Sequence, residues 1–134
     1  MKSKYIEVLS TIYNVDIVIV NRYTTLEDLK EKYVYYDGVE LDNSILDCQA
    51  STSRCKDKET GKPCIIVKDN RDSKVKGVNK KLDLINTAAH EAFHVMVDIY
   101  WFVGESIDFS QNNESSAYFI GWITQHIYEI WTKK

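Results

Sequence analysis

Two histidines in the stretch NTAAHEAFHVMV (residues 86–97) have a spacing that suits metal binding. His90 and His94 are four residues apart, and Glu91 directly follows the first of them. On an α-helix both imidazoles would lie on one face, about 6 Å apart along the axis, and could reach one tetrahedral zinc ion. Glu91 would then lie where its carboxylate can reach a zinc-bound water, while Asp98 could orient the His94 imidazole. The alternative is a helix with two ordinary histidines and solvated carboxylates.

A catalytic zinc usually takes three protein ligands, so a third ligand is expected downstream. Glu114 is the preferred candidate, because it opens a second long helix after a ten-residue connection, long enough for that helix to return antiparallel. Glu105 and Asp108 are the alternatives. If the first helix is straight, Glu105 lies about 16 Å along its axis from His94. His126 lies about 18 Å beyond Glu114, which is too far to share the ion.

The second helix carries small residues where a close approach to the first helix needs them. Ala117 and Gly121 are four residues apart and share a helix face, which lets the two helices pack closely. A metal shared between two helices requires such an approach. The longer pattern H-E-x-x-H-x-x-G-x-x-H of the metzincins is excluded, because valine and tyrosine stand where its glycine and third histidine would be.

His90-Glu91-x-x-His94 followed by Glu114 on the next helix resembles the gluzincin class of zinc metallopeptidases, whose third ligand is a glutamate on a second helix. The segment NNESSAYFIGWI also resembles the ligand helix of small peptidases associated with phages and mobile elements, with Glu-x-x-Ala as its recurring core. The resemblance spans about residues 82–131. The larger gluzincins have an aspartate four residues after the ligand glutamate, where this chain has Tyr118.

This resemblance implies a zinc-dependent peptidase that acts on a peptide or protein substrate, with the zinc ion held by His90, His94 and Glu114. Glu91 would activate the zinc-bound water, and Tyr118 would donate a hydrogen bond to the oxyanion of the tetrahedral intermediate. The alternative for Tyr118 is a buried packing residue. The alternative function is a catalytically silent zincin-fold protein that acts as a phage structural, regulatory or binding component.

The part of the chain before this motif predicts a small sheet. Runs rich in β-branched residues and bounded by turn residues favour strands. Residues 12–20 form such a run, and residues 44–51 and 63–69 are interpreted as two more strands. Asp37-Gly38 predicts a hairpin turn within residues 34–41. The strand around Cys64–Val67 is a candidate edge that could hold an extended peptide by strand addition.

Three helices are predicted, one short and two long. Thr24 and Glu27 form a capping box that would start a short helix over residues 24–33. Residues 82–103 are apolar and contain neither glycine nor proline, and their length favours helix over strand. The last helix is predicted over residues 114–131, with Asn112 or Asn113 as its N-cap. Residues 54–62 are expected to form a polar loop.

The predicted fold class is therefore α+β: a small mixed or antiparallel sheet with a short helix, followed by two long packed helices that carry the metal site. The arrangement is that of a minimal zincin-like domain. With 134 residues, the chain is expected to form a single domain. Its sheet-containing half would be residues 1–81, and its two-helix metal-binding half residues 82–134.

The composition predicts an ordinary soluble protein, with 44% apolar residues, 28% charged residues and a net charge of −3. No segment of signal-peptide type is evident, and the longest apolar run near the start, IVIV at 17–20, is too short to cross a membrane. A cytoplasmic location is expected, in the host if the chain is phage-encoded. Cys48, Cys55 and Cys64 are odd in number and are predicted to be buried free thiols in a reducing compartment.

Two further segments are candidate contact surfaces for partners. Residues 54–81 contain ten Lys or Arg and four Asp or Glu, a balance that a nucleic-acid partner would favour. A solvated surface is preferred there, because no aromatic ladder or arginine cluster accompanies the lysines. The C-terminal segment FIGWITQHIYEIW (119–131) carries little charge and is a candidate surface for a protein partner.

Overall fold

A five-stranded mixed sheet forms the centre of the fold. The computed structural model describes residues 3–71, 80–107 and 113–133. The strands are β1 (Ile6–Leu9), β2 (Asp16–Val20), β3 (Tyr33–Tyr35), β4 (Ala50–Asp57) and β5 (Pro63–Asp69). They lie in the order β1-β2-β5-β4-β3. Strands β2 and β5 are parallel, and the other three neighbouring pairs are antiparallel.

Helices cover both faces of this sheet. The two long helices α2 (Lys80–Val103) and α3 (Glu114–Thr132) pack together on one face. The short helix α1 (Leu26–Lys30) and a 3-10 helix (Asn43–Leu46) lie on the other. The predicted fold class is thus confirmed: an α+β chain in which a small mixed sheet with a short helix precedes two long packed helices.

Strands β2 and β5 lie at the centre of the sheet because their side chains are apolar on both faces. Ile17 and Val67 belong to the core under the long helices, while Val18 and Ile66 belong to the core under α1. Near-continuous apolar runs are what a strand covered on both faces requires. The prediction that Cys64–Val67 forms a sheet edge is therefore wrong, since β5 pairs with β2 on one side and β4 on the other.

The open edge near the long helices belongs instead to the first half of β4. On β4, strand β3 pairs only with residues 55–57, and the Tyr36 N–H donates to the Arg54 carbonyl at 3.1 Å. In the described ranges, no strand pairs with the outer side of residues 50–53. Because backbone groups alternate along a strand, Thr52 turns its N–H and C=O to the same outer side as Arg54. A row of unpaired backbone groups therefore faces outward.

Several element boundaries differ from the sequence predictions. Strand β4 starts at Ala50 and continues to Asp57, so most of the predicted strand 44–51 is a 3-10 helix and a bend, and half of the predicted loop 54–62 is strand. Strand β1 was not predicted. The capping box lies one residue later than expected: Thr25 accepts from the Asp28 N–H, and the Asp28 carboxylate accepts from the Thr25 N–H.

Other local predictions are confirmed. The Asp37-Gly38 turn is present, with Gly38 at φ +91° and the Tyr35 N–H donating to the Val39 carbonyl. Helix α2 ends at Val103, Gly104 follows it with φ +73°, and the Glu105 N–H donates to the Tyr100 carbonyl, as in a Schellman motif. At the start of α3, Asn113 is the N-cap by position, although its side chain makes no capping bond. Asn112 lies outside the described residues.

Candidate metal centre and cleft

A cleft of about 650 Å³ lies between α2 and the open half of β4. Helix α2 contributes the three residues of the H-E-x-x-H motif and Asp98 to its wall. Strand β4 contributes residues 50–54, and residues 35–37, 44, 47 and 48 complete the lining. The motif thus faces a groove beside the open edge of β4, and such an edge suits an extended chain.

His90 and His94 direct their side chains to one point in this cleft. Their Nε2 atoms are 3.1 Å apart. Two nitrogens bound at about 2.05 Å to one tetrahedral zinc are about 3.3 Å apart, so the observed separation is close to that of a ligand pair. The same distance also fits an N–H···N hydrogen bond between the two rings. The His90 side chain is 65% exposed, so an ion has access from solvent.

Glu91 lies beside His90 and is hydrogen-bonded to the sheet. Its side chain is only 8% exposed, and its Oε2 accepts a hydrogen bond from the Thr52 hydroxyl on β4. Its other oxygen, Oε1, is 4.0 Å from His90 Nε2. The carboxylate therefore lies beside the point on which the imidazoles converge, which is where a base for a metal-bound water is needed.

Asp98, one turn beyond His94, pairs with Arg54 across the cleft wall. Its Oδ1 is 4.0 Å from Arg54 Nε. Burial raises the pKa of Asp98, and the charges of Arg54 and His94 act in the opposite direction. Among the described residues no hydrogen bond joins Asp98 to His94. The suggested role of Asp98 in orienting the His94 imidazole is therefore not supported by a direct contact.

Helix α3 packs on a different side of α2 from the histidines. The hydroxyls of Tyr100 and Ser116 are hydrogen-bonded at 3.0 Å, which marks the side of α2 that α3 contacts. Tyr100 lies six residues after His94, and on a helix this places the two side chains about 120° apart round the axis. Neither Glu114 nor Tyr118 lines the cleft. Tyr118 is 76% exposed, so its alternative role as a buried packing residue is wrong.

Among the described residues, Glu105 and His126 are also away from the histidines. Glu105 follows the end of α2 and does not line the cleft. His126 contacts residues of its own helix, with its ring 4.7 Å from that of Trp122 and its Nδ1 4.0 Å from Glu129 Oε2. Asp108 lies outside the described residues. Within residues 3–71, 80–107 and 113–133, no three His, Cys, Asp or Glu side chains form a group that could hold a metal ion.

His90 and His94 thus fit a zinc site as two of its ligands, while the third ligand remains a prediction. The fit rests on the convergence of two imidazole nitrogens and on the adjacent buried carboxylate. Imidazole nitrogens are ligands that zinc favours. The assignment of Glu114 as the third ligand depends on the resemblance in sequence rather than on a contact with the pair.

Among the cleft residues that were not singled out from the sequence, Thr52 and Arg54 make polar contacts with α2. Both lie on β4, which reads ASTSRCKD and has little of the β-branched apolar pattern that marks a strand. The available signal was a period of two: Ala50, Thr52 and Arg54 share the face that α2 covers. Because most residues of β4 are polar, this alternation did not predict a strand.

The three thiols fall into two groups. Cys55 and Cys64 are buried register partners on β4 and β5, and burial raises the pKa of both, that of Cys64 to about 12. Cys48 is exposed, lines the cleft and has a left-handed backbone at φ +63°. The prediction of buried free thiols is confirmed for the first two and wrong for Cys48.

The two candidate partner surfaces are only partly available to a partner. In the basic segment, Lys68 is buried and Arg71 pairs with Asp69, so their charges are not displayed on a free surface. In the C-terminal helix, Ile123, Ile127 and Trp131 are buried against the sheet. A shallow apolar groove remains on the outer side of the long helices. Its lining is Ile85, Gly121, Thr124, Gln125, Tyr128 and Glu129.

Comparison with known proteins gives no relative from which a function could be transferred. No family model, no curated protein and no solved structure matches the chain. Among the helices in the described ranges, none has the length and apolar character needed to cross a membrane. The function is therefore argued from the residues of the cleft.

Proposed function

We propose that the protein is a zinc-dependent peptidase whose active site is the cleft between α2 and β4. The observation that carries the proposal is the 3.1 Å separation of His90 Nε2 and His94 Nε2, with the Glu91 carboxylate beside them. An H-E-x-x-H sequence can occur by chance, but the position of this motif in a cleft beside the open half of β4 is a property of the fold. The proposed location is cytoplasmic, which unpaired cysteines support.

His90 and His94 would hold the metal, with Glu114 as the proposed third ligand and Glu105 or Asp108 as alternatives. A zinc ion in such a site lowers the pKa of its bound water and polarises a carbonyl group. Glu91 accepts the proton of the attacking water and delivers it to the leaving amine. The proposed contribution of Tyr118, a hydrogen bond to the oxyanion, requires it to lie near the cleft during the reaction.

The substrate would lie along the open half of β4. Ala50 and Thr52 turn unpaired backbone groups to the outer side of β4 beside the cleft, and main-chain hydrogen bonds to them would hold an extended peptide. His94 and Glu91 lie on the helix directly above this edge. A peptide in this position would bring a backbone carbonyl close to the two imidazoles, which is what hydrolysis of a peptide bond requires.

Zinc content of purified variants tests the metal assignment. The wild-type chain, stripped with a chelator and reloaded, is expected to hold one zinc ion, and His94→Ala is expected to lose it. His126→Ala is the matched control, because this histidine lies outside the cleft and should leave zinc content unchanged. Full zinc occupancy in His94→Ala would overturn the assignment. Glu114→Gln, Glu105→Gln and Asp108→Asn identify the third ligand in the same assay.

Cleavage of a mixed peptide library tests the reaction. Glu91→Gln should keep zinc and lose cleavage, since the amide binds no proton at neutral pH. Cleavage that survives in Glu91→Gln would contradict the mechanism.

The second candidate function is a catalytically silent zincin-fold protein with a structural, regulatory or binding role. One observation favours it. Glu91 is buried and its Oε2 already accepts a hydrogen bond from the Thr52 hydroxyl, as expected of a residue that joins a helix to a sheet. If zinc binds and no library peptide is cleaved by the wild-type chain, this candidate replaces the first.

A further inference from the structure

Arg54 lies on the wall of the cleft and is held in place by aromatic rings. Its guanidinium carbon is 4.0 Å from the centre of the Trp101 ring and 5.4 Å from that of Tyr36. The two rings also contact each other edge to face, with centroids 5.2 Å apart. Cation–π contacts of this kind fix the plane of a guanidinium without using its N–H donors.

The donors of Arg54 are largely unused. Among the described residues its guanidinium makes no hydrogen bond, and its ion pair with Asp98 is long, at 4.0 Å from Nε. That ion pair involves the Nε atom, so the two terminal nitrogens of Arg54 remain available to a ligand. Asp37 and Asp47 also line the cleft, but neither is within ion-pair distance of Arg54. Arg54 is the only Lys or Arg among the described residues that line this cleft.

Arg54 also marks the end of the open strand edge. The Arg54 carbonyl already accepts a hydrogen bond from the Tyr36 N–H. A peptide paired with the outer edge of residues 50–53 therefore cannot continue this pairing beyond Arg54. Asp98, the partner of Arg54, is one helical turn, about 6 Å, beyond His94. A group at Arg54 is therefore one to three extended residues from the imidazole pair, at about 3.3 Å per residue.

We propose that Arg54 is a specificity residue that binds a carboxylate of the peptide held along β4. The proposal rests on the proposed peptidase function for the position of the peptide, and it adds the chemical class of the group recognised. The carboxylate is either an acidic side chain or the C-terminus. A peptide antiparallel to β4 would present a side chain at Arg54, and a parallel peptide could end there with its C-terminus.

The binding test uses the full-length, zinc-loaded Glu91→Gln chain, so that peptides bind without being cut. Fluorescent hexapeptides of one base sequence carry glutamate or glutamine at each position in turn, and each has a free or an amidated C-terminus. The carboxylate form is expected to bind about tenfold more tightly, as charge-assisted hydrogen bonds of moderate strength provide. The side-chain and terminal series distinguish the two sources.

Variants assign that preference to Arg54. Arg54→Gln should abolish it, Arg54→Lys should keep part of it, and Lys56→Gln, on the same strand outside the cleft, should leave it unchanged. If no carboxylate preference is found, or if the preference survives in Arg54→Gln, the proposal is wrong. Circular dichroism checks that each variant is folded. If Arg54→Gln does not fold, the reduced carboxylate preference expected of Arg54→Lys still tests the proposal.

An NMR titration separates this proposal from the peptidase function. The Arg54 Nε–H signal, identified by its loss in Arg54→Lys, should shift on addition of N-acetylglutamate amide and not of the glutamine analogue. A selective shift without any peptide cleavage would support the carboxylate site and count against the peptidase. Cleavage without carboxylate preference or selective shift would support the peptidase and overturn the role of Arg54.

Discussion

The Thr52 hydroxyl on β4 donates a hydrogen bond to Oε2 of Glu91 on α2, across 39 positions of the sequence. This bond joins the sheet edge to the helix at the residue between the two histidines. Glu91 is buried, and a buried carboxylate needs hydrogen-bond partners. The position of the proposed base thus depends on a strand residue as well as on its own helix.

Thr52→Val should destabilise the protein because it removes this donor while keeping the shape of the side chain. The expected loss in free energy of unfolding is about 1–3 kcal/mol, the usual cost of leaving a buried acceptor without its partner. Urea unfolding followed by circular dichroism measures it. Thr52→Ser keeps the hydroxyl and is the matched control. A Thr52→Val variant as stable as wild type would show that Glu91 finds another partner.

Much of this fold could be predicted because its elements carry strong local patterns. Strands β2 and β5 follow from apolar runs, although their parallel pairing at the centre of the sheet was not predicted, and α2 and α3 follow from long apolar segments. Strand β4 was misplaced because its residues 50–57 are mostly polar, and its pairing with β5 rather than its own propensity makes it a strand. Local sequence gives little information on such long-range pairing.

The candidate site was predictable only where its chemistry is local. The convergence of His90 and His94 follows from helix geometry, so their spacing was enough to predict it. The relation of Glu114 to this pair depends on which side of α2 contacts α3, and a helix sequence does not determine that. Thr52 and Arg54 reach the cleft through strand pairing, so their place in it was visible only in the folded chain.

Lys68→Met should stabilise the protein at neutral pH. Lys68 is 3% exposed, and its Nζ donates to the Asp69 carbonyl at 3.1 Å. Burial lowers its pKa, although the Asp69 charge opposes the shift. The charged form therefore destabilises the fold, and methionine should add on the order of 1 kcal/mol to the free energy of unfolding. Asp69 keeps a partner, because Arg71 Nη2 is 2.7 Å from its Oδ2.

The pH dependence of the Lys68→Met effect gives a second test. The folded-state pKa of Lys68 lies below the value of the unfolded chain, so the cost of its charge is greatest at neutral pH and falls as the pH rises toward about 10.5. The advantage of methionine should shrink over that range in urea titrations. Lys58→Met, at an exposed loop position, should show neither effect. A destabilised Lys68→Met variant would contradict the prediction.

Cys48 should be the only thiol that reacts rapidly in the native protein. It is exposed at the cleft, whereas Cys55 and Cys64 are buried and have raised pKa values, so little thiolate forms on them. Titration with Ellman's reagent is expected to find one fast thiol in the folded chain and three after denaturation. Cys48→Ser should remove the fast reaction and Cys55→Ser should not. Two or more fast thiols in the native chain would overturn the assignment.

Asp28 should make the stability of the protein depend on pH below about 4. A hydrogen bond from Lys4, whose Nζ is 2.8 Å from Asp28 Oδ2, and the capping bonds with Thr25 lower its pKa to about 2. The stabilising effect is fully present above the unfolded value near 3.8 and is lost as the pH falls through about 2. Asp28→Asn should therefore be less stable than wild type at pH 6, with the difference closing toward pH 2 in urea titrations. Glu31→Gln, at the exposed end of α1, is the control. If the difference in stability between wild type and Asp28→Asn does not change with pH, the charge of Asp28 is not responsible for the stabilisation.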